Sequence, residues 1–362
     1  MLDIGSASIG GGLAYTETGK LPVMCYTDRA DVARAEGDAL TNAMLHALEE
    51  LIARLLKEGA PMLRQLAGSG RIDRVIASIG APWQESKVIA LPVAKEGPFT
   101  YTKTLEKETL TVGDPPEGRV ERQQVLATFL NGYLVREPYG KEAARAELVV
   151  LSSIIETRII EAVESRIGGA FHISEISYTD FAAPSYRVLS SLYPHEDDFL
   201  MLRITGEVTE VASMKRGHLL DVGSIEHGTG ALKRGIREAS ETLARVAGEN
   251  PNFIDASHNA RFEVASNKAE AAWATPLAGL LRQFAIRHAL PRTVFLIAED
   301  DSRDFLKQAL NDPALRTLWL SDEPVSIIPI LPQQFTQRLK TQGLASGDVP
   351  LAVLALYSSL EG

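Results

Sequence analysis

The chain is poor in the residues on which several functional classes depend. Cys25 is the single cysteine among 362 residues, which excludes an intrachain disulfide and any thiolate cluster for zinc or iron–sulfur, and fits a cytosolic setting. No uninterrupted apolar run approaches the eighteen or so residues of a membrane span, and the opening segment is not a basic stretch followed by an apolar one. Neither a spanning helix nor a signal peptide is therefore expected. Basic charge is in deficit, with 37 Lys and Arg against 47 Asp and Glu and a formal balance of −10, so a broad electrostatic footprint for nucleic acid is excluded as a first reading. The seven histidines show no metal-ligand spacing. No Gly-x-Ser-x-Gly elbow occurs, and Cys25 has no neighbour that argues for nucleophilic work.

What remains is a globular composition. The length suits roughly two domains, and 45% hydrophobic content is enough for sizeable cores. Ala39, Leu40, Ala43, Met44, Ala47, Leu48, Leu51, Ile52, Leu55 and Leu56 recur at helical spacing and predict a long core-facing helix. Strands are expected at Ile72 to Ile79 and Ser86 to Val93, giving a strand, strand, helix, strand, strand order in one α/β layer. From Lys95 to Gly118 the turn signals Gly97-Pro98 and Gly113-Asp114-Pro115-Pro116 mark a subdomain border. Strand-like Gln124 to Val135 and Glu147 to Ser152, followed by a helix from Thr157 to Arg166, form a compact α+β unit. The chain then returns to the main pattern: Ile173 to Tyr178 extended, Pro184 to Leu192 helical, Phe199 to Thr205 a strand, and a hairpin of Thr209 to Met214 with His218 to Val222. Helices are expected from Thr229 to Ala247, with Thr229 as N-cap, and from Trp273 to His288. Strand Thr293 to Ala298, Ile327 to Leu331 and apolar Val349 to Tyr357 complete the fold.

The most informative segment is the opening one, Met1-Leu2-Asp3-Ile4-Gly5-Ser6-Ala7-Ser8-Ile9. A carboxylate leaves a short strand into a turn of small residues, and a second strand follows. Small side chains let backbone N–H groups approach phosphate, while an Asp at the strand end can hold a cation through water. A plain glycine-rich β-hairpin is the competing reading. The same plan recurs at Leu200 to Met214, and two such α/β halves facing each other make a cleft in which both loops can grip one phosphate chain.

With Asp3-Ile4-Gly5-Ser6-Ala7-Ser8 as a first phosphate loop and Ile204-Thr205-Gly206-Glu207-Val208-Thr209-Glu210 as a second, the chain resembles the actin-like ATPase superfamily. Asn131-Gly132-Tyr133 and Pro138-Tyr139-Gly140-Lys141 resemble the inserted subdomain of its FtsA-like and PilM-like branches, which act in bacterial cell division and type IV pilus assembly. The resemblance implies a two-domain, duplicated ribonuclease H-like α/β fold. Its first domain would comprise 1–95 and 173–203, an inserted α+β subdomain 96–172, and the second domain 204–362 with a helical part near 229–290. It implies ATP or ADP with Mg²⁺ as ligand. Asp3 would hold the metal through water, and Gly5, Ser6, Ser8, Arg203, Gly206, Thr209, Lys233, Arg237 and Glu299 would line the nucleotide. It implies a cytoplasmic adaptor that docks a peptide of a membrane protein or of a division or pilus component, can self-associate, and reaches the inner membrane only through that partner.

Two departures bear on activity. Arg203 stands where the family places an Asp aimed at the metal and the attacking water, and a guanidinium can do neither, though it can pair with phosphate or with a carboxylate. Glu299-Asp300-Asp301-Ser302 stands where the family has a glycine-rich turn beneath the adenosine, and carboxylates there repel polyphosphate. ATP hydrolysis is accordingly expected to be weak or absent. A nucleotide-free scaffold is the first alternative, and a small-molecule kinase with Asp180 as its base the second. Gly228-Thr229-Gly230 opening a helix is too weak a signal for a dinucleotide site, and Lys233, Arg234 and Arg237 read as a solvated basic face.

Overall fold

The computed structural model describes residues 1–17, 19–93, 95–110, 118–173, 176–235, 237–238, 254–298, 302–319 and 323–360. The chain opens with β1 (Leu2–Ile4), β2 (Ser8–Tyr15) and β3 (Val23–Asp31), then α1 (Gly37–Arg54), a wider helical turn at Leu55–Gly59, α2 (Ala60–Ala67) and β4 (Val75–Ile79). Helix α1 forms because Leu40, Met44, Ala47, Leu48, Leu51 and Ile52 fall on one stripe, and that stripe is buried against the sheet.

Next comes β5 (Gln84–Val93), then β6 (Phe99–Thr100), α3 (Lys103–Leu110), β7 (Arg119–Leu130), β8 (Tyr133–Leu134), β9 (Glu142–Ala143), β10 (Ala146–Glu156) and α4 (Thr157–Phe171). Strand β5 pairs along its whole length with β10, in a sheet ordered β5-β10-β7-β8. The expected single layer is thus corrected: Ser86 to Val93 belongs to a separate four-stranded sheet with its own small core around Tyr101, Leu130, Leu148 and Val150. Helix α3 lies in the stretch read as turns. Its Thr109 hydroxyl donates back to the Leu105 carbonyl, and Leu105 and Thr109 are its buried face.

The chain continues through β11 (Ile176–Thr179) and α5 (Ala182–Leu192) to β12 (Phe199–Ile204), β13 (Thr209–Lys215), β14 (His218–Ile225), a helix over residues 229–235, α6, and the long α7 (Ile254–Arg287). The expected helix end between 239 and Ala247 lies outside the described residues. Then follow β15 (Thr293–Ile297), α8 (Arg303–Leu310), α9 (Pro313–Arg316), β16 (Ser326–Pro329), β17 (Lys340–Leu344) and α10 (Val349–Leu360).

Two large sheets carry one topology. The first runs β11-β4-β1-β2-β3-β17, the second β14-β13-β12-β15-β16. In each, an antiparallel hairpin pair leads back through parallel crossovers to strands on the other side of the first strand. Sheet membership places β12, including Phe199 to Arg203, in the second sheet. The C-terminal β17 and α10 return to the first, where β17 pairs parallel with β3.

Five layers result. Helices α1, α2 and α4 pack on the outer face of the first sheet. Helices α5 and α10 lie between the sheets, in a core that joins Met24 and Ile76 to Phe199, Met201 and Phe295. Helix α7 covers the far face of the second sheet through Trp273, Leu277, Leu281 and Phe284. Helix α10 is buried at Val349 and at seven successive positions from Leu351 to Tyr357. A helix apolar all round is what a site enclosed by two sheets requires.

Candidate functional site

The two hairpin tips meet. Between β1 and β2 the Gly5 amide donates to the Ser8 carbonyl at 3.1 Å, and between β12 and β13 the Thr205 amide donates to the Val208 carbonyl at 2.9 Å. The loops are so close that a Cβ on Gly206 would stand 2.2 Å from the Ala7 Cβ, so only glycine fits where the two halves touch.

Behind that contact stands a chain of charges. Asp3, Gly10 and Arg29 are register partners across β1, β2 and β3. Gly10 leaves the room through which Arg29 reaches Asp3, since a Cβ there would be 2.6 Å from the guanidinium. Arg29 Nη2 lies 3.1 Å from Asp3 Oδ2, and its Nη1 donates to Ser8 Oγ at 3.0 Å. Its remaining donors engage Asp348, just ahead of α10, at 2.8 to 3.1 Å. From the second half, Arg203 Nη2 donates to Asp3 Oδ1 at 2.6 Å and Nη1 donates to Glu210 Oε2 at 3.0 Å. Glu210 is Arg203's cross-strand partner. The guanidinium carbon sits 4.1 Å from the centre of the Phe181 ring.

Asp3 has no exposed surface and the Arg203 side chain is 4% exposed. Burial by itself would lower the pKa of Arg203, but the Asp3 and Glu210 carboxylates prevail and raise it. Arg29 is raised in the same way by Asp3 and Asp348. Glu210 is pushed above the usual carboxylate range by burial, with Arg203 opposing. Both guanidiniums are thus fixed cations, and both Asp3 oxygens are engaged.

A cavity of about 200 Å³ adjoins this network, lined among others by Asp3, Ser8, Arg29, Arg203, Gly206 and Asp348. Of the residues expected to hold nucleotide, Asp3, Ser8, Arg203 and Gly206 line it. Gly5 and Ser6 are not among its lining residues, and Ser6 is buried with an unpartnered hydroxyl. Thr209 is buried elsewhere: its hydroxyl donates to the His227 carbonyl at 2.6 Å and accepts from the Trp273 indole at 2.9 Å. Lys233 on α6 and Arg237 past its described end are exposed, and Glu299 lies outside the described residues. The first amides of α6 are committed too, because Thr229 N and Gly230 N donate to the Thr205 and Gly206 carbonyls at 2.8 and 2.6 Å. Glu207 pairs with Arg234 through two contacts of 2.7 Å.

Sequence reasoning missed Arg29 and Asp348. Arg29 is one charge in the Asp28-Arg29-Ala30-Asp31 run, and 319 positions separate it from Asp348, so no local signal could have joined them.

The Mg²⁺ that the fold family implies is not fitted by these residues. A carboxylate that positions a hydrated cation needs free oxygens, whereas both of Asp3's accept from guanidiniums, and the fixed charge of Arg203, 2.6 Å from Asp3 Oδ1, repels a further cation there. Among the described residues no group of three or more His, Cys, Asp or Glu is arranged to hold a metal.

Asp180 lines a separate cavity of about 470 Å³, where the inserted sheet (Gln84 to Lys87) meets Phe181 and the second sheet at Glu210 and Ser224. Its Oδ1 accepts from the Ala183 amide at 2.8 Å and its Oδ2 from Ser153 Oγ at 2.7 Å. Burial raises its pKa, opposed by those hydrogen bonds. The carboxyl therefore anchors the start of α5 to β10.

The duplicated five-strand order, with facing hairpin tips and helices between the sheets, decides the fold. The chain has the actin-like ATPase fold. Its described part is similar in structure to a PilM-PilN type IV pilus biogenesis complex, at TM-score 0.62 and 16% identity over 99% of this chain and 97% of that one. Ethanolamine utilization protein EutJ from Carboxydothermus hydrogenoformans gives TM-score 0.45 at 13% identity over 100% and 88% of the two chains. A protein of unknown function with actin-like ATPase fold from Bacteroides thetaiotaomicron gives 0.42 at 7% over 98% and 93%. No family model matches the chain, and no curated protein matches it.

Proposed function

We propose that this chain is an actin-like adaptor that works as a scaffold rather than as an ATPase. The observation that carries the reading is Asp3: the carboxylate that would serve a metal-bound nucleotide is buried between Arg203 and Arg29. The adjoining cavity, about 200 Å³, is smaller than the roughly 300–1,000 Å³ of ordinary ligand pockets. Of the nucleotide-binding adaptor and the nucleotide-free scaffold, the second is the one this geometry favours. The kinase alternative is disfavoured because both oxygens of Asp180 are engaged within the fold.

The scaffold is taken to comprise two actin-like halves and an insertion built on the β5-β10-β7-β8 sheet. Likeness to the PilM-PilN complex supports a role in pilus-like assembly, in which the inserted unit and the first half receive a cytoplasmic peptide of a membrane protein. No described helix is long and apolar enough to cross a membrane, which suits a cytoplasmic chain held at the inner membrane by that partner. Cell division is the sister role, and self-association belongs to both.

Isothermal titration of the full chain with ATP and Mg²⁺ tests the central claim. The expected result is no heat at millimolar nucleotide and no phosphate release, and saturable binding with turnover would overturn it. Full-chain two-hybrid pairing with cytoplasmic segments of single-span membrane proteins tests the adaptor role, which fails if none pairs.

A further inference from the structure

We propose that Arg203 is a built-in replacement for the metal–phosphate bridge, closing the cleft between the two halves with no ligand present. The proposal rests on the scaffold reading above and names how that same site is regulated. In a cleft filled by nucleotide and metal, cations between the two loops screen phosphate and carboxylate charge. Here the cation is covalently part of the second half, and its counter-charge, Asp3, is part of the first.

Four observations converge on this role. The Arg203–Asp3 contact of 2.6 Å is the ion pair that links the large sheets at this point. Its donor is held in place by Glu210 across the hairpin and by Phe181, over whose ring the guanidinium lies. Its acceptor is held by Arg29, which is itself fixed to Ser8 and Asp348. The tips in front of the pair are in van der Waals contact at Ala7 and Gly206. Every member is thus oriented by at least one further partner, as a buried ion pair must be if it is to hold one geometry. A separable latch follows: removing the Arg203 charge leaves the buried Asp3 carboxylate without its partner from the second half and deprives Glu210 of the cation it shares with Asp3.

Small-angle scattering on the full wild-type chain tests this without any variant. The expected profile is that of the closed molecule, unchanged by Mg²⁺ with ADP or with a non-hydrolysable ATP analogue. An open wild-type profile that contracts on adding Mg²⁺ and nucleotide would overturn the proposal while leaving the adaptor role standing. Amide hydrogen exchange supplies the second arm. In Arg203→Gln, segments 3–8 and 203–210 should exchange at least about tenfold faster, while α1 stays at the wild-type rate. Equal exchange in variant and wild type refutes the latch. If Arg203→Gln does not fold, Glu210→Gln, which keeps the Arg203–Asp3 pair, should show a smaller acceleration confined to the same segments, and its absence counts against the proposal. A failed two-hybrid screen would sink the adaptor reading and leave these measurements untouched.

Discussion

Replacing Arg203 by methionine tests the energetic weight of the charge network. The substitution keeps much of the side-chain volume and removes only the guanidinium. Asp3, which has no exposed surface, then retains a single donor from Arg29 at 3.1 Å, and Glu210 loses its 3.0 Å donor. Leaving one member of a buried ion pair without its partner typically costs about 3–5 kcal/mol. Loss of the stacking on Phe181 at 4.1 Å adds on the order of 0.5–2 kcal/mol where the ring is desolvated. Two terms act in the opposite direction: the guanidinium no longer has to be desolvated, and Glu210, already raised by burial, can take up a proton. The net expectation is a loss of about 3 kcal/mol. Urea unfolding followed by tryptophan fluorescence measures it, with Trp83 in the first core and Trp273 and Trp319 in the second as reporters of the two halves. Coincidence with a far-ultraviolet probe is needed before one free energy is quoted. A loss below about 1 kcal/mol would show that the network is energetically idle and that the account of Asp3 is mistaken.

Gly206→Ala should destabilise the chain by about 1–3 kcal/mol through overpacking, because the new methyl meets Ala7 at 2.2 Å. The double change with Ala7→Gly should recover most of it, and additivity of the two effects in thermal denaturation would refute the contact. Asp180→Asn should flatten the pH dependence of stability. The folded carboxyl has a pKa raised from 3.8 by burial, so its favourable contribution is complete at low pH and is lost as pH rises through the raised value. A group that does not ionise removes that descent, and urea midpoints across the acid range report it. Cys25 is fully buried, with its thiol raised by burial from 9.0 to about 11. It should resist a thiol reagent at pH 8 until the chain is unfolded. The stability that goes with the protonated thiol is expected to fall as pH climbs from about 9 towards 11.

Local rules in the sequence determined the elements on which the fold depends: the apolar stripe of α1, the two strand–small loop–strand units, the extended apolar β15 and the unbroken apolar run of α10. They also determined that Asp3 belongs to a short strand leading into a small-residue turn, while the resemblance to the actin-like superfamily marked Arg203 as a departure. Pairing between distant segments decided the rest. Strand β5 reads locally like any other strand, and its partner β10 assigned it to the inserted sheet. Strand β17, exposed along its length and without an apolar alternation to announce it, is a strand because β3 offers it an edge. The meaning of Arg203 was fixed the same way. A guanidinium at a strand end pairs with phosphate or carboxylate equally well by its chemistry. Only the approach of two halves 200 positions apart in sequence put Asp3 within 2.6 Å of it and filled the cleft with charges the chain itself supplies. Hydrophobic period and turn chemistry act over a few residues and are written in order along the chain, whereas the sign and neighbours of a buried charge depend on which surfaces folding brings together.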